Sequence, residues 1–555
     1  MIRGSRSFGL LLLVFGAALV RGAALPGTGL LHEDRDWKSE TTAQLDAMLT
    51  KRIDASRASR PHYWQRDFSS PEAYERSIAP NRQRLRERIG AIDPRVAVGD
   101  LNLDAGLNRP ALRAQTTSYE VYAVEWPVLN GMSAAGLLLK PKGAIVAGVV
   151  VIPDADQPPE ALVGLLGGAP PAPQFPQRLA EQGVAVLIPT LIDRRDLWSG
   201  DERLQKYSDQ SHREWIYRQA AVVGRHIIGY EVQKVCSAVD WLLGQARPGA
   251  NGAFPIGVAG YGEGGLLALY SAALDNRIGA TWVSGYFSAR EQLWREPLYR
   301  NVWRLLEEAG DAEVATLVAP RALVIEYSTG PQVSHPPAKP THSGKALDRK
   351  TSAAVGRVAT PPWRTARAEW DRALALMPAA WREQWTWVDG GSETAAPFGS
   401  APALAAFRRG LGIAGATPSA PAAYSLQRSP TQREIDERQH RQFREMQEFT
   451  QELGRRSEYA RAEFFWKQLR GITAPAVWRD KTAGLRETFW NEFIGKIPVP
   501  SGNLNARTRL LPEFENPHEA RTVEQMDDAA PRSPDAKLLR MGLFSAAAIG
   551  LHNFP

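Results

Sequence analysis

Residues 255–269, with the sequence PIGVAGYGEGGLLAL, carry the pattern in this chain that points most directly to chemistry. The apolar run predicts a strand, the glycines around Gly262 predict a tight turn, and the Leu- and Ala-rich stretch after Glu263 predicts a helix. A strand–turn–helix of the form Gly-x-Ser-x-Gly presents its serine for attack on a carbonyl carbon. Here the middle position is Gly262, which adopts a strained turn easily but supplies no nucleophile.

Three residues are candidates for the catalytic role that Gly262 cannot fill. Glu263 is the candidate catalytic residue beside the vacant position, although the helix dipole stabilises a carboxylate at a helix N-terminus whatever its function. His212 and His226 precede the turn along the chain, and their spacing of nearly four helical turns would allow them to share one helix face. A structural role is the open alternative for both histidines.

Two carboxylates follow the first predicted core strand. Asp154 and Asp156 would then lie at the carboxyl edge of a parallel sheet, where α/β proteins bind their ligands. They could line a polar pocket or hold one cation. A turn before Pro158, built on an aspartate side chain, is the alternative interpretation.

Further pocket candidates come from other strand ends. Arg194, Arg195 and Trp198 follow the next core strand and could bind an anionic or sugar-like ligand. Tyr261 lies in the turn itself, and Glu326 ends a later strand. Together with the two aspartates and two histidines, they form the predicted pocket.

The elements that would position these residues alternate along the chain. The segments YEVYAVEW and SAAGLLLKP flank Asn130-Gly131, which predicts a hairpin. Six continuous apolar runs separated by helix-length segments then predict a mostly parallel sheet that is covered on both faces; they end at Pro153, Thr190, Gly262, Phe287, Ser328 and Gly391. The predicted fold class is therefore α/β, doubly wound.

These segments resemble the dienelactone hydrolase and acetyl xylan esterase-like branch of the α/β hydrolases. The motifs VVVIPDADQ, LAEQGVAVLIPT, HIIGYEVQKVCSAVDWLL, APRALVIEYSTGP and APALAAFRRGLG carry the resemblance over residues 119–412. It implies an α/β-hydrolase fold flanked by helical segments, and it implies carboxylester hydrolysis by a Ser-His-Asp triad.

The resemblance also implies where the triad should lie, and this chain departs from it. The serine maps to Gly262, and no carboxylate stands in Ser328-Thr329-Gly330, where the acid is implied. The histidine is implied at residues 390–393, but none occurs between His342 and His440. The sequence therefore predicts a degenerate site that is weak or inactive.

The sequence also predicts how the whole chain divides into segments. Residues 1–24 resemble a secretory signal peptide, with a basic start and an apolar run too short to span a membrane comfortably. We expect a helical lead-in at 25–115, the hydrolase-like domain at 116–414 and a linker at 415–430. A helical segment at 431–500 and an unstable tail at 501–555 would follow. Residues 331–362 are predicted to form a long exposed loop.

The composition of the chain limits the kinds of ligand and partner that we expect it to bind. The net charge of +7 is spread over 555 residues without a basic block, so no nucleic-acid surface is predicted. The single cysteine, Cys236, excludes an intrachain disulfide. No metal-ligand cluster or cofactor fingerprint is present, so no metal and no cofactor are expected. We expect an extracytoplasmic protein whose ligand is a carbohydrate or a small ester.

A short repeat leaves the function open. Tyr63-Trp64, Tyr74 and the stretch to Gly90 are echoed by Phe465-Trp466, Trp478 and the stretch to Gly495. Three functions remain: an esterase that uses non-standard residues, an inactive hydrolase domain kept for binding, and the scaffold half of a two-domain esterase. Fold resemblance alone decides among none of them.

Overall fold

The computed structural model describes residues 26–32, 35–166, 172–246, 254–337, 341–342, 345–346, 351–415, 423–496 and 506–508. The chain divides into two compact units, residues 48–482 and the described parts of residues 1–47 and 483–555. In the latter unit, Gly29–Leu30 pairs in parallel with Arg507–Thr508. The predicted signal peptide at 1–24, residues 416–422 of the predicted linker and all of the predicted tail except residues 506–508 lie outside the described residues.

Unit 48–482 is built on an eleven-stranded sheet. Its first strands are β1 (Asn102–Leu103), β2 (Leu112–Gln115), β3 (Tyr119–Leu129), β4 (Met132–Pro141), β5 (Ala147–Ile152) and β6 (Val184–Pro189). The remainder are β7 (Ile256–Tyr261), β8 (Ala280–Ser284), β9 (Ala322–Glu326), β10 (Trp385–Val388) and β11 (Ser425–Leu426). The apolar runs of the sequence are therefore strands, as predicted.

The strands follow the order β10-β9-β8-β7-β5-β6-β4-β3-β2-β11, and β1 pairs with β3. All pairs from β10 to β6 are parallel, and the others are antiparallel. The chain runs from β5 to β6 on one side and returns to β7 on the other, so the carboxyl ends of β5 and β7 form the switch point where such sheets bind ligands. The predicted α/β-hydrolase fold is confirmed.

The α-helices are α1 (Trp37–Ser59), α2 (Pro71–Arg88), α3 (Pro159–Leu162), α4 (Phe175–Ala180), α5 (His212–Val222), α6 (Ile227–Leu243) and α7 (Glu263–Leu274). They continue with α8 (Leu305–Glu308), α9 (Asp311–Thr316), α10 (Trp363–Ala375), α11 (Ala401–Gly410), α12 (Gln432–Arg461) and α13 (Pro475–Thr488). None of the described helices is long and apolar enough to cross a membrane.

Helices cover both faces of the sheet because successive strand residues point to opposite sides. On β5, Val150 and Ile152 belong to one apolar core, together with buried residues of α6 and α7. Val149 and Val151 belong to a second core, together with residues of α4 and α11. The strands are buried on both faces, which explains their continuous apolar sequences.

The predicted hairpin between β3 and β4 is present. Leu129 pairs with Met132 across the turn. Gly131 has φ +82, a left-handed conformation that glycine adopts at no steric cost. The turn fixes the register in which the two long strands of the antiparallel edge pair.

Helix α12 packs on the rest of unit 48–482 through an apolar stripe in its first half. Ile435, Phe443 and Met446 are buried. Phe464 is 69% exposed and lies beyond the end of α12. The buried stripe therefore covers only the first half of the helical segment.

The prediction that residues 331–362 form an exposed loop is wrong in part. Val333–His335 and Gly356–Val358 form a short antiparallel pair, and Thr341–His342 pairs with Lys345–Ala346. His335 and Val358 are buried. A segment of low apolar content can still pack when its few apolar and aromatic side chains fall on the inner side.

One buried ion pair fastens α12 to the domain. Arg438 donates to both carboxylate oxygens of Glu160 at 2.7 Å, and both side chains are about 95% buried. Arg438→Ala should cost about 3–5 kcal/mol of unfolding free energy in urea, because it leaves a buried carboxylate unpaired.

The double variant Arg438→Met with Glu160→Leu should recover most of that loss, since apolar side chains of similar volume replace a buried pair at little cost. Arg433, on the exposed side of α12, pairs with Glu437 and is the matched control. Arg433→Ala should cost less than about 1 kcal/mol. Equal losses in Arg438→Ala and Arg433→Ala would contradict the proposed anchor.

Candidate functional site

The turn at Gly262 joins a strand to a helix at the switch point of the sheet. β7 ends at Tyr261, Gly262 has φ 59 and ψ −116, and α7 begins at Glu263. A Cβ on Gly260 would lie 1.9 Å from the carbonyl oxygen of Gly264. The strand and helix therefore approach closely enough to require glycine at these positions.

The space in front of Gly262 is occupied. A Cβ built on Gly262 would lie 2.5 Å from Oδ1 of Asp154 and 3.0 Å from the ring of Pro331. Contacts below 3 Å between a Cβ and another heavy atom do not persist in packed proteins, so the site as folded has no room for a side chain there. The carboxylate of Asp154 stands where a nucleophilic side chain would begin.

Asp154 is held in place by Arg194, which follows β6. The guanidinium donates to both oxygens of Asp154 at 2.6 and 2.9 Å and to Tyr299 Oη at 2.9 Å. It also reaches the exposed Asp156 at 3.0 Å. Burial raises the pKa of Asp154, but the charge of Arg194 outweighs burial and lowers that pKa below its ordinary value. Asp154 and Asp156, two of the predicted pocket residues, thus both bind a third, Arg194.

Glu263 lies at the centre of a buried cluster of arginines. Its Oε2 accepts from Arg194 at 3.1 Å and from Arg300 Nε at 3.0 Å, and its Oε1 lies 3.5 Å from Arg213. Burial acts to raise the pKa of Glu263, but the three arginine charges hold it far below its ordinary value. A general acid or base needs a pKa near the working pH. The prediction of a catalytic Glu263 finds no support in this geometry.

Arg213 extends the cluster into α6. It donates to both oxygens of Glu231 at 2.9 and 2.8 Å, and both side chains are fully buried. Arg213, Arg300 and Tyr299 were not predicted as site residues, because nothing in their local sequence marks them as partners of Glu263. We name the set Asp154, Arg194, Arg213, Glu231, Glu263, Tyr299 and Arg300 the buried charge cluster.

Glu326 ends β9 near the position where an acid was implied. Its carboxylate accepts from Ser284 Oγ at 2.6 Å, and from Ser400 Oγ at 2.6 Å and Ser400 N at 3.0 Å at the start of α11. Burial raises its pKa. The cavity bordered by Glu326 and Ser328 measures about 10 Å³, room for a single water at most. Glu326 thus caps a helix and faces no substrate-sized space there.

The two candidate histidines do not share a helix face, although their spacing would allow it. His212 begins α5, whereas His226 caps the N-terminus of α6. Gly224, with φ 68, separates the two helices. Glycine in this conformation commonly ends a helix, and it interrupts the periodicity on which the prediction depended.

Both histidines have structural partners. His212 Nδ1 lies 2.6 Å from Asp193, and its Nε2 accepts from Trp198 N at 3.0 Å. His226 Nδ1 accepts from Ile228 N at 3.0 Å, and its Nε2 donates to Asn301 O at 3.0 Å. Burial lowers the pKa of His226 to about 4.

The remaining pocket candidates are engaged with the protein itself. Trp198 stacks on both His212 and His440, with ring centroids 4.5 Å apart in each pair. Arg195 binds Asp193 and Asp436. Both residues therefore have partners within the protein.

Tyr261 also has partners within the protein. Its ring stacks on Phe398 at 4.6 Å, and its hydroxyl donates to Thr329 O at 2.8 Å. Burial raises its pKa to about 12, so the phenol keeps its proton at neutral pH. Among the described residues, no group of three or more His, Cys, Asp or Glu side chains is placed to hold a metal ion.

One serine–histidine contact escaped the sequence analysis. His335 Nε2 lies 2.9 Å from Ser211 Oγ, and His335 Nδ1 lies 2.6 Å from Ala354 O. Ser211 is fully buried, and its hydroxyl also accepts from Glu214 N at 3.2 Å as the N-cap of α5. The pair resembles a catalytic dyad in its distance alone, because no substrate reaches a hydroxyl without exposed surface. His335 lies in the segment that was predicted to be an exposed loop.

Because Glu263 lies at the centre of the buried charge cluster, we expect its neutralisation to destabilise the fold. Glu263→Gln should lower the unfolding free energy by about 3–5 kcal/mol, because three buried guanidinium groups lose their shared counter-charge. Denaturation monitored by tryptophan fluorescence measures it. Glu448, an exposed residue paired with Arg444, is the matched control, and Glu448→Gln should change stability by less than about 1 kcal/mol. A loss below 1 kcal/mol in Glu263→Gln would show that the cluster is dispensable.

His226 predicts a specific pH dependence. Its pKa is about 4 in the folded protein against 6.5 when unperturbed, so the unfolded state binds the proton first as the pH falls. Stability contributed by neutral His226 is therefore complete above about pH 6.5 and is lost as the pH falls toward 4.

His226→Asn keeps a side-chain cap for Ile228 but does not titrate. The variant should lose stability at pH 7.5, and it should lose less than the wild type between pH 6.5 and 4.5. The exposed His62→Asn serves as control. Parallel stability–pH curves for wild type and His226→Asn would contradict the assignment.

Comparison with known proteins assigns no family, since no family model matches the chain. Zinc transporter ZupT of Chlorobaculum parvum is 55% identical over 47 residues, which is 8% of this chain and 17% of that protein. ZupT of Chlorobium chlorochromatii is 49% identical over 47 residues, with the same coverage. The chain thus spans less than a fifth of the length of the curated relatives it matches.

Among solved structures, a candidate acetyl xylan esterase from Bacteroides fragilis is similar at 15% identity and a TM-score of 0.38, over 65% of this chain and 89% of that one. Acetyl xylan esterase 1 from Thermoanaerobacterium sp. is similar at 13% identity and a TM-score of 0.29, over 45% of this chain and 78% of that one. The strand order and the helices on both faces, described above, define this chain as an α/β-hydrolase-fold protein.

Proposed function

We propose that this chain is an exported α/β-hydrolase-fold protein whose hydrolase domain binds ligands without hydrolysing esters. The observation that carries the proposal is the carboxylate of Asp154, whose Oδ1 lies 2.5 Å from the position of a Cβ on Gly262. Loss of a serine alone would leave an empty site. Here the space that a nucleophile needs is filled by a charged side chain with partners of its own.

The chemistry of the surrounding groups supports the proposal. Covalent ester hydrolysis needs a nucleophile and a base that accepts its proton. At the switch point the described side chains are ionised and paired, so Glu263 and Asp154 are poor proton acceptors near neutral pH. Electrostatic stabilisation without a nucleophile provides little turnover of an unactivated ester.

Two serine hydroxyls that contact a carboxylate or a histidine in the hydrolase domain are buried. Ser284 contacts Glu326 and Ser328, and Ser211 contacts His335; both serines are fully buried. An esterase that uses one of these pairs would have to open the domain first. We therefore infer that a carbohydrate or small ester reaching this domain is held and released unchanged.

An assay of the purified full-length protein tests the proposal. With 4-nitrophenyl acetate and with acetylated xylan, product release should not exceed that in buffer. A fluorophosphonate probe, which labels activated serines, should leave the protein unlabelled. Turnover that disappears in Ser211→Ala or Ser284→Ala would overturn the proposal and would identify the serine responsible.

Restoring the serine should not restore activity. Gly262→Ser should remain inactive and should lower the unfolding free energy by at least about 2 kcal/mol more than Gly224→Ser. Gly224 is the matched control, because its φ of 68 is similar and no atom lies within 4 Å of its Cβ position. Esterase activity in Gly262→Ser, or equal stability of the two variants, would show that Asp154 leaves room for a nucleophile.

A further inference from the structure

Most of the large aromatic side chains that the described residues expose to solvent lie in one stretch of the chain. Six of the eight that are at least 41% exposed fall between residues 459 and 493, namely Tyr459, Phe464, Trp466, Phe489, Trp490 and Phe493. Large apolar side chains are mostly buried in folded proteins, and their concentration at a surface marks a site of interaction. We name residues 459–496 the aromatic segment.

The exposed aromatic side chains of this segment form two groups, one in each compact unit. In unit 48–482, Tyr459, Phe464 and Trp466 are 53–76% exposed. In the other unit, the rings of Phe489 and Phe493 stack with centroids 5.7 Å apart, and both side chains are more than half exposed. Each group therefore presents apolar area to solvent by itself.

The aromatic segment also carries an excess of positive charge. Seven lysine or arginine residues stand against four aspartate or glutamate residues, which gives a net charge of +3. All seven basic side chains are exposed: Arg461, Lys467, Arg470, Arg479, Lys481, Arg486 and Lys496. They are interspersed with acidic residues and form no basic block, yet they leave this short segment cationic.

Exposed aromatic rings beside exposed cations match the surface of an anionic bilayer. Tryptophan and tyrosine favour the boundary between lipid headgroups and acyl chains, because each has an apolar body and a polar tip. Lysine and arginine close to that boundary attract the negatively charged headgroups. A protein partner fits less well, because protein interfaces are depleted of lysine and this segment contains three lysines.

We propose that the aromatic segment binds the surface of a membrane that contains anionic lipids. The rings of Phe464, Trp466, Phe489 and Phe493 enter the headgroup boundary, and the basic side chains lie against the headgroups. Each aromatic group contributes by itself, so the proposal requires no fixed arrangement of the two compact units. It is also independent of whether the turn at Gly262 is inactive.

Co-sedimentation of the full-length protein with lipid vesicles tests the proposal. Vesicles of phosphatidylcholine carry no net charge, whereas vesicles that include phosphatidylglycerol are anionic. The protein should bind vesicles with about 30% phosphatidylglycerol roughly tenfold more tightly than the neutral ones. Raising the NaCl concentration from about 50 to 500 mM should weaken this binding roughly fivefold, because salt screens the attraction. No binding to the anionic vesicles, or equal binding to both compositions, would overturn the proposal.

Substitutions at exposed positions locate the contact without disturbing the core. Phe464→Ser with Trp466→Ser should weaken binding to the anionic vesicles by about fivefold, because the apolar area that enters the boundary is lost. Phe489→Ser with Phe493→Ser should do the same for the second group. Wild-type affinity in both double variants would place the contact elsewhere and refute the proposal.

Two matched variants and a measurement without lipid complete the test. Trp294→Ser with Trp303→Ser removes exposed aromatic side chains outside the segment and should leave binding unchanged. Arg470→Glu with Lys481→Glu should weaken binding to the anionic vesicles about fivefold and leave the neutral ones unaffected. Sedimentation velocity identifies the competing occupant: a wild-type dimer that the aromatic substitutions turn into a monomer would show that the segment binds a second copy of the chain instead.

Discussion

A group of charges buried away from water has to be neutralised from within, and this constraint shapes the carboxyl edge of the sheet. Arg194 comes from the loop after β6, Glu263 from the start of α7 and Asp154 from the end of β5, and all three are at least 95% buried. Each is tolerable only because the others are present. The cluster therefore fixes the relative positions of three segments that would otherwise border an open substrate site.

Local features of the fold were readable from the sequence, whereas the pairings in the cluster were not. A strand buried on both faces shows itself as a continuous apolar run, and Asn130-Gly131 specifies its own turn. Arg194 and Glu263 are 69 residues apart, and the sequence around either residue does not predict that the two will pair. Residue type identifies a charge that needs a partner, but only the packed fold supplies the partner.

The errors in the sequence analysis have the same origin. One glycine, Gly224, turned two histidines with helical spacing into residues of different helices. The echo between the two helical segments concealed a difference in environment, which sequence does not encode locally: Trp64 is 8% exposed, whereas Trp466 is 53% exposed. Similar patterns predict similar helices, and the neighbours of each helix determine whether its aromatic side chains are covered.

A very short strand closes the far edge of the sheet. β11 is only Ser425–Leu426, yet it pairs with β2 and occupies backbone groups that an outermost strand would leave open to another chain. Arg438 and Gln442 of α12 then bind Glu160 and Ser133. The residues after β10 thus hold this edge of the sheet closed, so protection against edge-to-edge aggregation depends on a part of the chain that follows the parallel strands and their helices.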